Sequence, residues 1–258
     1  MYKKTLTVFS ENIYMRTWLT LLSFLGASLA FAGPPYRTDD PEPTPYQHYE
    51  IFFASQFTRT ADGESGTLPH IEINYGATPR IQIGIRLPYA FNQAQGETRQ
   101  YGLGDIELGL KYRLLDESDA RPMVSFFPSM KTHTGNEETG LGDGANSFLL
   151  PIWLGKSWGG WSTYGGAGYK INREFGAQNS WSMGWLLQRK ISAPLSIGLE
   201  VFRETAQAAG ESTSSGFNIG GIYDLDQYQH LMFSAGKGVE ATQQTNQLST
   251  FIAYLLTF

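Results

Sequence analysis

Charged side chains recur at even spacings in three consecutive stretches of the chain: Glu72; Arg80 and Arg86; and Asp105, Glu107, Lys111 and Arg113. Between them stand Ile71, Ile73 and Tyr75, then Ile81, Ile83, Ile85, Leu87 and Tyr89, then Ile106, Leu108, Leu110, Tyr112 and Leu114. Charges of both signs on one face of paired strands have two uses. They can neutralise one another in a network that stiffens an interior, or they can line a pore, with Arg86, Lys111 and Arg113 attracting anions and the carboxylates setting selectivity. Glu50, Lys170, Glu200 and Arg203 add to the same candidate lining from other stretches. A catalytic use would need a nucleophile and a base. The four histidines, His48, His70, His133 and His230, stand in no recognisable nucleophile motif, so no catalytic residue and no enzyme is expected. Gly140-Leu141-Gly142-Asp143-Gly144 lacks the Lys and the following helix of a phosphate loop. It reads as an outer loop, with no metal or cofactor expected, though Glu137, Glu138 and Asp143 offer carboxylates to surface cations.

The elements that position these charges are strands, because a period of two is the strand period. Twelve such runs follow one another from His48 to Phe258. Each has about the 9 to 11 residues needed to cross a bilayer at a tilt. Alternation alone does not say which face is wet, since a soluble barrel binding an apolar ligand shows the same pattern turned inside out. The connections discriminate. Those at 77–79, 116–120, 157–159, 191–193 and 225–227 are short, and those at 59–66, 92–104, 132–145, 172–179, 205–214 and 238–246 are longer and polar. Short periplasmic turns alternating with long outer loops mark an outer-membrane barrel. Tyr49 with Phe57, Trp161 with Tyr169 and Phe217 with Tyr223 add aromatic pairs at spacings that suit girdles at both membrane interfaces. The expected fold is therefore all-β: a 12-stranded antiparallel up-and-down transmembrane barrel over 47–258. Twelve strands leave at most a narrow lumen.

Composition agrees. Of 258 residues, 17% are charged and 14% aromatic, with 29 glycines and no cysteine, a mixture poor in helix formers. The absence of cysteine excludes disulfides and thiolate metal sites. Near the N-terminus, the apolar run 18–31 follows Arg16 and ends in Ala30-Phe31-Ala32, an A-x-A cleavage site, so 1–32 is expected to be a signal peptide, with Met15 a candidate true start. Its removal takes three basic and one acidic residue from totals of 19 and 24, leaving 16 and 23 and a formal charge of −7. That sign argues against a nucleic-acid partner. The segment 33–46 holds Pro34, Pro35, Pro41, Pro43 and Pro45 and cannot form a regular ladder. It is expected to be a periplasmic leader or a plug folded into the lumen.

At the other end, Ile252, Tyr254, Leu256 and Phe258 alternate with Ala253, Leu255 and Thr257. A hydrophobic terminal strand must pair, and closure onto the first strand removes the edge. A terminal strand ending on Phe also resembles the sorting signal read by barrel-assembly machinery. The expected partners are that machinery, the lipid bilayer, lipopolysaccharide and an unidentified small molecule.

Two longer stretches, Gly33-Pro34-Pro35-Tyr36-Arg37-Thr38-Asp39-Asp40-Pro41-Glu42-Pro43 and Gly102-Leu103-Gly104-Asp105-Ile106-Glu107-Leu108-Gly109-Leu110-Lys111-Tyr112-Arg113, resemble landmarks of the outer-membrane porins grouped with the phenol-degradation pathway protein MetA. The resemblance covers the organisation of the whole mature chain. It implies a barrel in the outer membrane of a Gram-negative cell that moves small or hydrophobic molecules, and it brings no catalytic residue. The sequence leaves open a non-conducting barrel whose lumen is closed by its own charges, and a soluble secreted barrel.

Overall fold

The computed structural model describes residues 35–174 and 176–258. The candidate signal segment lies outside them. The described chain is a single closed wall of antiparallel strands: β1 (Tyr49–Arg59), β2 (Gly63–Thr78), β3 (Ile81–Ala94), β4 (Gln100–Leu103), β5 (Glu107–Leu115), β6 (Met123–Phe126), β7 (Ser129–Lys131), β8 (Ser147–Trp158), β9 (Trp161–Asn172), β10 (Ser180–Lys190), β11 (Leu195–Glu204), β12 (Ser214–Asp224), β13 (Gln229–Glu240) and β14 (Leu248–Thr257). One helical turn, α1 (Thr242–Thr245), sits between β13 and β14. Strands β4 and β5 both pair with β3, and β6 and β7 both pair with β8, so each couple occupies one place in the wall and the places number twelve. β1 pairs with β2 on one side and β14 on the other, which closes the barrel. Closure leaves no free edge at the seam between the first and last strands.

The two interruptions have local causes. Between β4 and β5, Asp105 leaves the ladder and turns its carboxylate to the 132–146 loop. Between β6 and β7, Pro128 has no N–H to give, and its carbonyl accepts from Leu110. The sequence places a strand at 105–114, which β5 bears out from Glu107, but leaves β4 in the expected loop 92–104 and reads 121–131 as one unbroken strand, because periodicity does not register such local breaks.

Side chains point as period two requires. Ile83, Leu87, Leu108, Leu110, Ile152, Trp185, Leu199, Val201, Ile219, Phe233 and Ile252 are all exposed on the outside. Such a continuous apolar exterior has no place in water and fits the hydrocarbon of a bilayer. The soluble alternative needs the reverse arrangement. Aromatic rings flank this belt. At the short-turn end Tyr49 lies 4.6 Å from Tyr75 and 5.6 Å from Phe258, centroid to centroid. At the long-loop end Phe57, Phe91 and Tyr101 follow one another at 6.4 and 6.2 Å, and Tyr169 meets Trp181 at 5.1 Å.

The turns at one end are tight. Gly159 and Gly160, with φ of 53° and 81°, join Trp158 to its pairing partner Trp161 in a two-residue hairpin that demands positive φ. At the other end the hairpins continue beyond the expected strand limits, so β2 begins at Gly63 and β13 runs to Glu240. Side-chain ladders such as Arg59 to Glu64 at 2.7 Å hold these extensions, where alternating hydrophobicity gives no signal.

The interior is divided. Phe52, Ala54, Ile222, Met232, Ala253 and Leu255 form an apolar cluster on the inner faces of β1, β12, β13 and β14. The inner faces of β2, β3 and β5 carry the charges.

Candidate functional site in the barrel lumen

Residues 35–45 cross the lumen as an extended chord, and the wall satisfies them one group at a time. Glu200, fully buried on β11, accepts the amides of Arg37 at 3.2 Å and Thr38 at 2.5 Å, and its carboxylate is braced by Asn218 Nδ2 at 2.6 Å. Asp39 and Asp40 side chains take the amides of Asp40 and Glu42 at 2.8 and 2.7 Å. Gln82 Oε1 accepts the Thr44 amide at 2.8 Å, and the Thr44 hydroxyl donates to Glu50 at 2.9 Å. Wall serines donate to proline carbonyls, Ser125 to Pro41 and Ser234 to Pro35. A proline-rich strand has few amides to satisfy, and five of those it has are accounted for by carboxylates and one amide oxygen. This is why the composition that bars the segment from the ladder suits it to a polar interior.

Space for the chord comes from glycine. A Cβ at Gly184 would meet Thr38 Oγ1 at 2.0 Å, one at Gly198 would meet the Tyr36 hydroxyl at 2.7 Å, and one at Gly155 would meet Pro41 Cγ at 2.7 Å. These three lie on the inner faces of β10, β11 and β8, respectively, and let the side chains of the chord approach the wall. Tyr36, Thr38, Asp40 and Thr44 are buried as a result. Burial holds the Asp40 carboxyl well above the usual carboxylate range against the opposing pull of Lys111, and raises that of Glu42 in the same way.

Charges meet in two clamps. Arg86 donates to Glu72 at 2.7 Å and to Glu107 at 3.1 Å, its neighbours across the β2–β3 and β3–β5 pairs. Lys111, also on the β5 inner face, reaches Asp39 at 3.2 Å, Asp40 at 3.8 Å and the Glu42 carbonyl at 3.3 Å, with the Phe127 ring centroid 4.9 Å away. Phe127 turns inward at the β6–β7 break and occupies the space over Gly109. Between chord and wall lies a cavity of about 150 Å³, lined by Glu50, Glu72, Arg86, Glu107, Lys111 and Trp153 among others.

Glu50, Glu72, Arg86, Glu107 and Lys111 thus come together, and Glu200 faces the same interior across the chord. Lys170, on the inner face of β9, donates to Gln207 at 2.5 Å. Arg113 and Arg80 converge on Asp116 at the short-turn end, Arg80 from the turn itself and outside the ladder. Arg203 does not share a face with Glu200. Three residues along a strand reverse the side, and Arg203 lies outside, paired with Glu240 at 2.6 Å and Ser215 at 2.7 Å. Asp105 is a loop anchor: its carboxylate accepts the amides of Thr134 at 3.1 Å, Gly135 at 2.8 Å and Asp143 at 2.7 Å. Asp143 in turn pairs with Lys131 at 2.7 Å. Among the described residues no group of three His, Asp or Glu side chains is arranged to hold a metal ion. His70 meets Thr67 at 2.8 Å midway along β2, and His230 meets Asp224 at 2.7 Å near the short-turn end. Sequence reasoning missed Gln82, Ser125, Asn218 and Ser234. Their polar side chains at inward positions among apolar neighbours are the signal that was there to read.

The chain matches the family model described as "Putative MetA-pathway of phenol degradation" over residues 50–255. No curated protein matches it. Among solved structures it resembles the COG4313 outer membrane channel from Pseudomonas putida F1, with a TM-score of 0.66 and 15% identity over 85% of this chain and 98% of that one. It also resembles the KdgM porin (TM-score 0.55, 11% identity, 81% and 99% covered) and the CymD monoaromatic hydrocarbon channel (0.51, 9%, 83% and 89%). At such identities the likeness is one of fold.

Proposed function

Because the chain belongs to the family described as "Putative MetA-pathway of phenol degradation", we propose that it is a narrow channel of a Gram-negative outer membrane that passes small molecules, aromatic compounds among them. The observation that carries this reading is the lumen. It is not packed solid by side chains but holds a hydrogen-bonded chord with a polar cavity of about 150 Å³ beside it. A chord held by hydrogen bonds and by three ion pairs to wall side chains can leave without unfolding a strand. The names of the similar structures, two of them channels and one a porin, support the extension from fold to transport. The family description supports aromatic passengers. The apolar belt and the exposed Ile252 and Phe258 support lipid, lipopolysaccharide and assembly machinery as partners. Nothing in this reading requires catalysis.

A closed, non-conducting barrel is the second reading, favoured by the depth at which Thr38, Asp40 and Thr44 are buried. Planar-bilayer recording separates the two. A channel gives conductance steps in the wild type and altered ion selectivity in Arg86→Ala, which frees Glu72 and Glu107. A plug gives silence until 33–45 is deleted, and a structural barrel stays silent after the deletion with insertion confirmed.

A further inference from the structure

We infer that the lumen selects cations, and that the cavity beside Glu50 is the place where a small cation or the ammonium group of an amine rests. The inference rests on the channel reading and adds the charge class of what passes.

Three cations, Arg37, Arg86 and Lys111, and four carboxylates, Asp39, Glu50, Glu72 and Glu107, line the cavity. Every one of the cations is already matched. Arg86 is held by Glu72 and Glu107, Lys111 by Asp39 and Asp40, and Arg37 by Glu204 at 3.1 Å with its guanidinium 4.2 Å above the Phe202 ring. Glu50 is not matched. It is more than nine-tenths buried, and among the described residues its carboxylate has one partner, the Thr44 hydroxyl, and no cation within ion-pair distance. Glu200 is likewise buried with amide partners alone. Lys170, which faces the lumen outside the cavity lining, is bonded to the neutral Gln207.

An anion entering the cavity would find none of its three lining cations free of a carboxylate and would approach Glu50 across a medium of reduced dielectric, where an unmatched charge weighs more than in water. A cation finds an unmatched carboxylate with Trp153 and Phe127 in the same lining, a carboxylate beside aromatic side chains being the combination that favours ammonium groups and soft monovalent ions. Of the two uses the sequence offered these charges, the anion-attracting lining needs Arg86, Lys111 and Arg113 free, whereas here each is held by carboxylates as in the neutralising network. The pairing reverses the sign.

The test has two arms. In planar bilayers at mildly alkaline pH under a KCl gradient, the full mature protein should give a reversal potential of the sign for K⁺ over Cl⁻, and Glu50→Gln should move it toward zero by a severalfold fall in the permeability ratio. A reversal potential of the Cl⁻ sign, or one unchanged in Glu50→Gln, overturns the inference while leaving the channel reading intact. Silent bilayers with confirmed insertion count against the channel reading alone. The second arm decides in that case: crystals soaked in thallium(I) salt should show anomalous density in the cavity that Glu50→Gln abolishes, and bromide density there, or none for thallium, overturns the inference.

Discussion

At the residue scale the lumen works by matching donors to acceptors rather than by packing hydrocarbon. Asp105 is the sharpest instance, one carboxylate organising a loop by accepting three of its amides. Asp105→Ala leaves those amides competing for water and removes roughly 1–3 kcal/mol from the local stability of the loop. Limited proteolysis of detergent-solubilised protein should then cut within 132–146 faster than in the wild type, with the barrel intact. Asp40 and Glu42 make a prediction in pH. Burial in the chord raises both above their values in a released segment. The seated state therefore binds protons more tightly. Its advantage is complete below the ordinary carboxylate range and is lost as pH rises through the raised values. A spin label on the chord should show growing mobility with rising pH, and Asp40→Asn with Glu42→Gln should flatten the profile.

At the scale of elements, the wall and the chord are shaped for each other. Glycines on β8, β10 and β11 stand where the chord passes, and a side chain there cannot coexist with it. Gly184→Val puts methyl groups where Thr38 sits, so the chord should unseat while β10 keeps its ladder to β9 and β11. Conductance in this variant should approach that of the 33–45 deletion, and an unchanged conductance would mean the chord yields by another route. The short β6 and β7 follow the same logic: the Phe127-Pro128 break costs ladder bonds and turns an aromatic ring beside Lys111.

At the scale of the whole molecule, closure is the stabilising event, because β14 has β13 on one side and needs β1 on the other. Phe258 stacks on Tyr49 at the seam, and its backbone exchanges hydrogen bonds with Tyr49 at 2.7 and 3.1 Å. Deleting Phe258 should therefore slow assembly into lipid vesicles, read as a loss of the heat-resistant compact band on gels, and more so with assembly machinery present if the terminal strand is its recognition element. Arg86→Ala belongs partly to this scale too, since Glu72 and Glu107 come from two strands that Arg86 ties through β3.

Periodicity determined the strand count and set Glu72, Arg86, Glu107 and Lys111 on the face opposite the apolar one, because a pleated strand enforces alternate sides wherever it is paired, and the alternation of short turns with long loops turned the charged face inward. The same rule applied to Glu200 and Arg203 would have separated them. What the tertiary structure decided is everything that depends on a partner distant in sequence. Whether 33–46 trails away from the barrel or enters it turns on Glu200, Gln82, Ser125 and Ser234, residues up to 199 positions away that become neighbours only when the barrel closes. The sign of the lumen was equally out of reach. Charge counts are local, whereas the pairing that cancels Arg86 and Lys111 and leaves Glu50 unmatched is set by strand register and by a chord threaded across it.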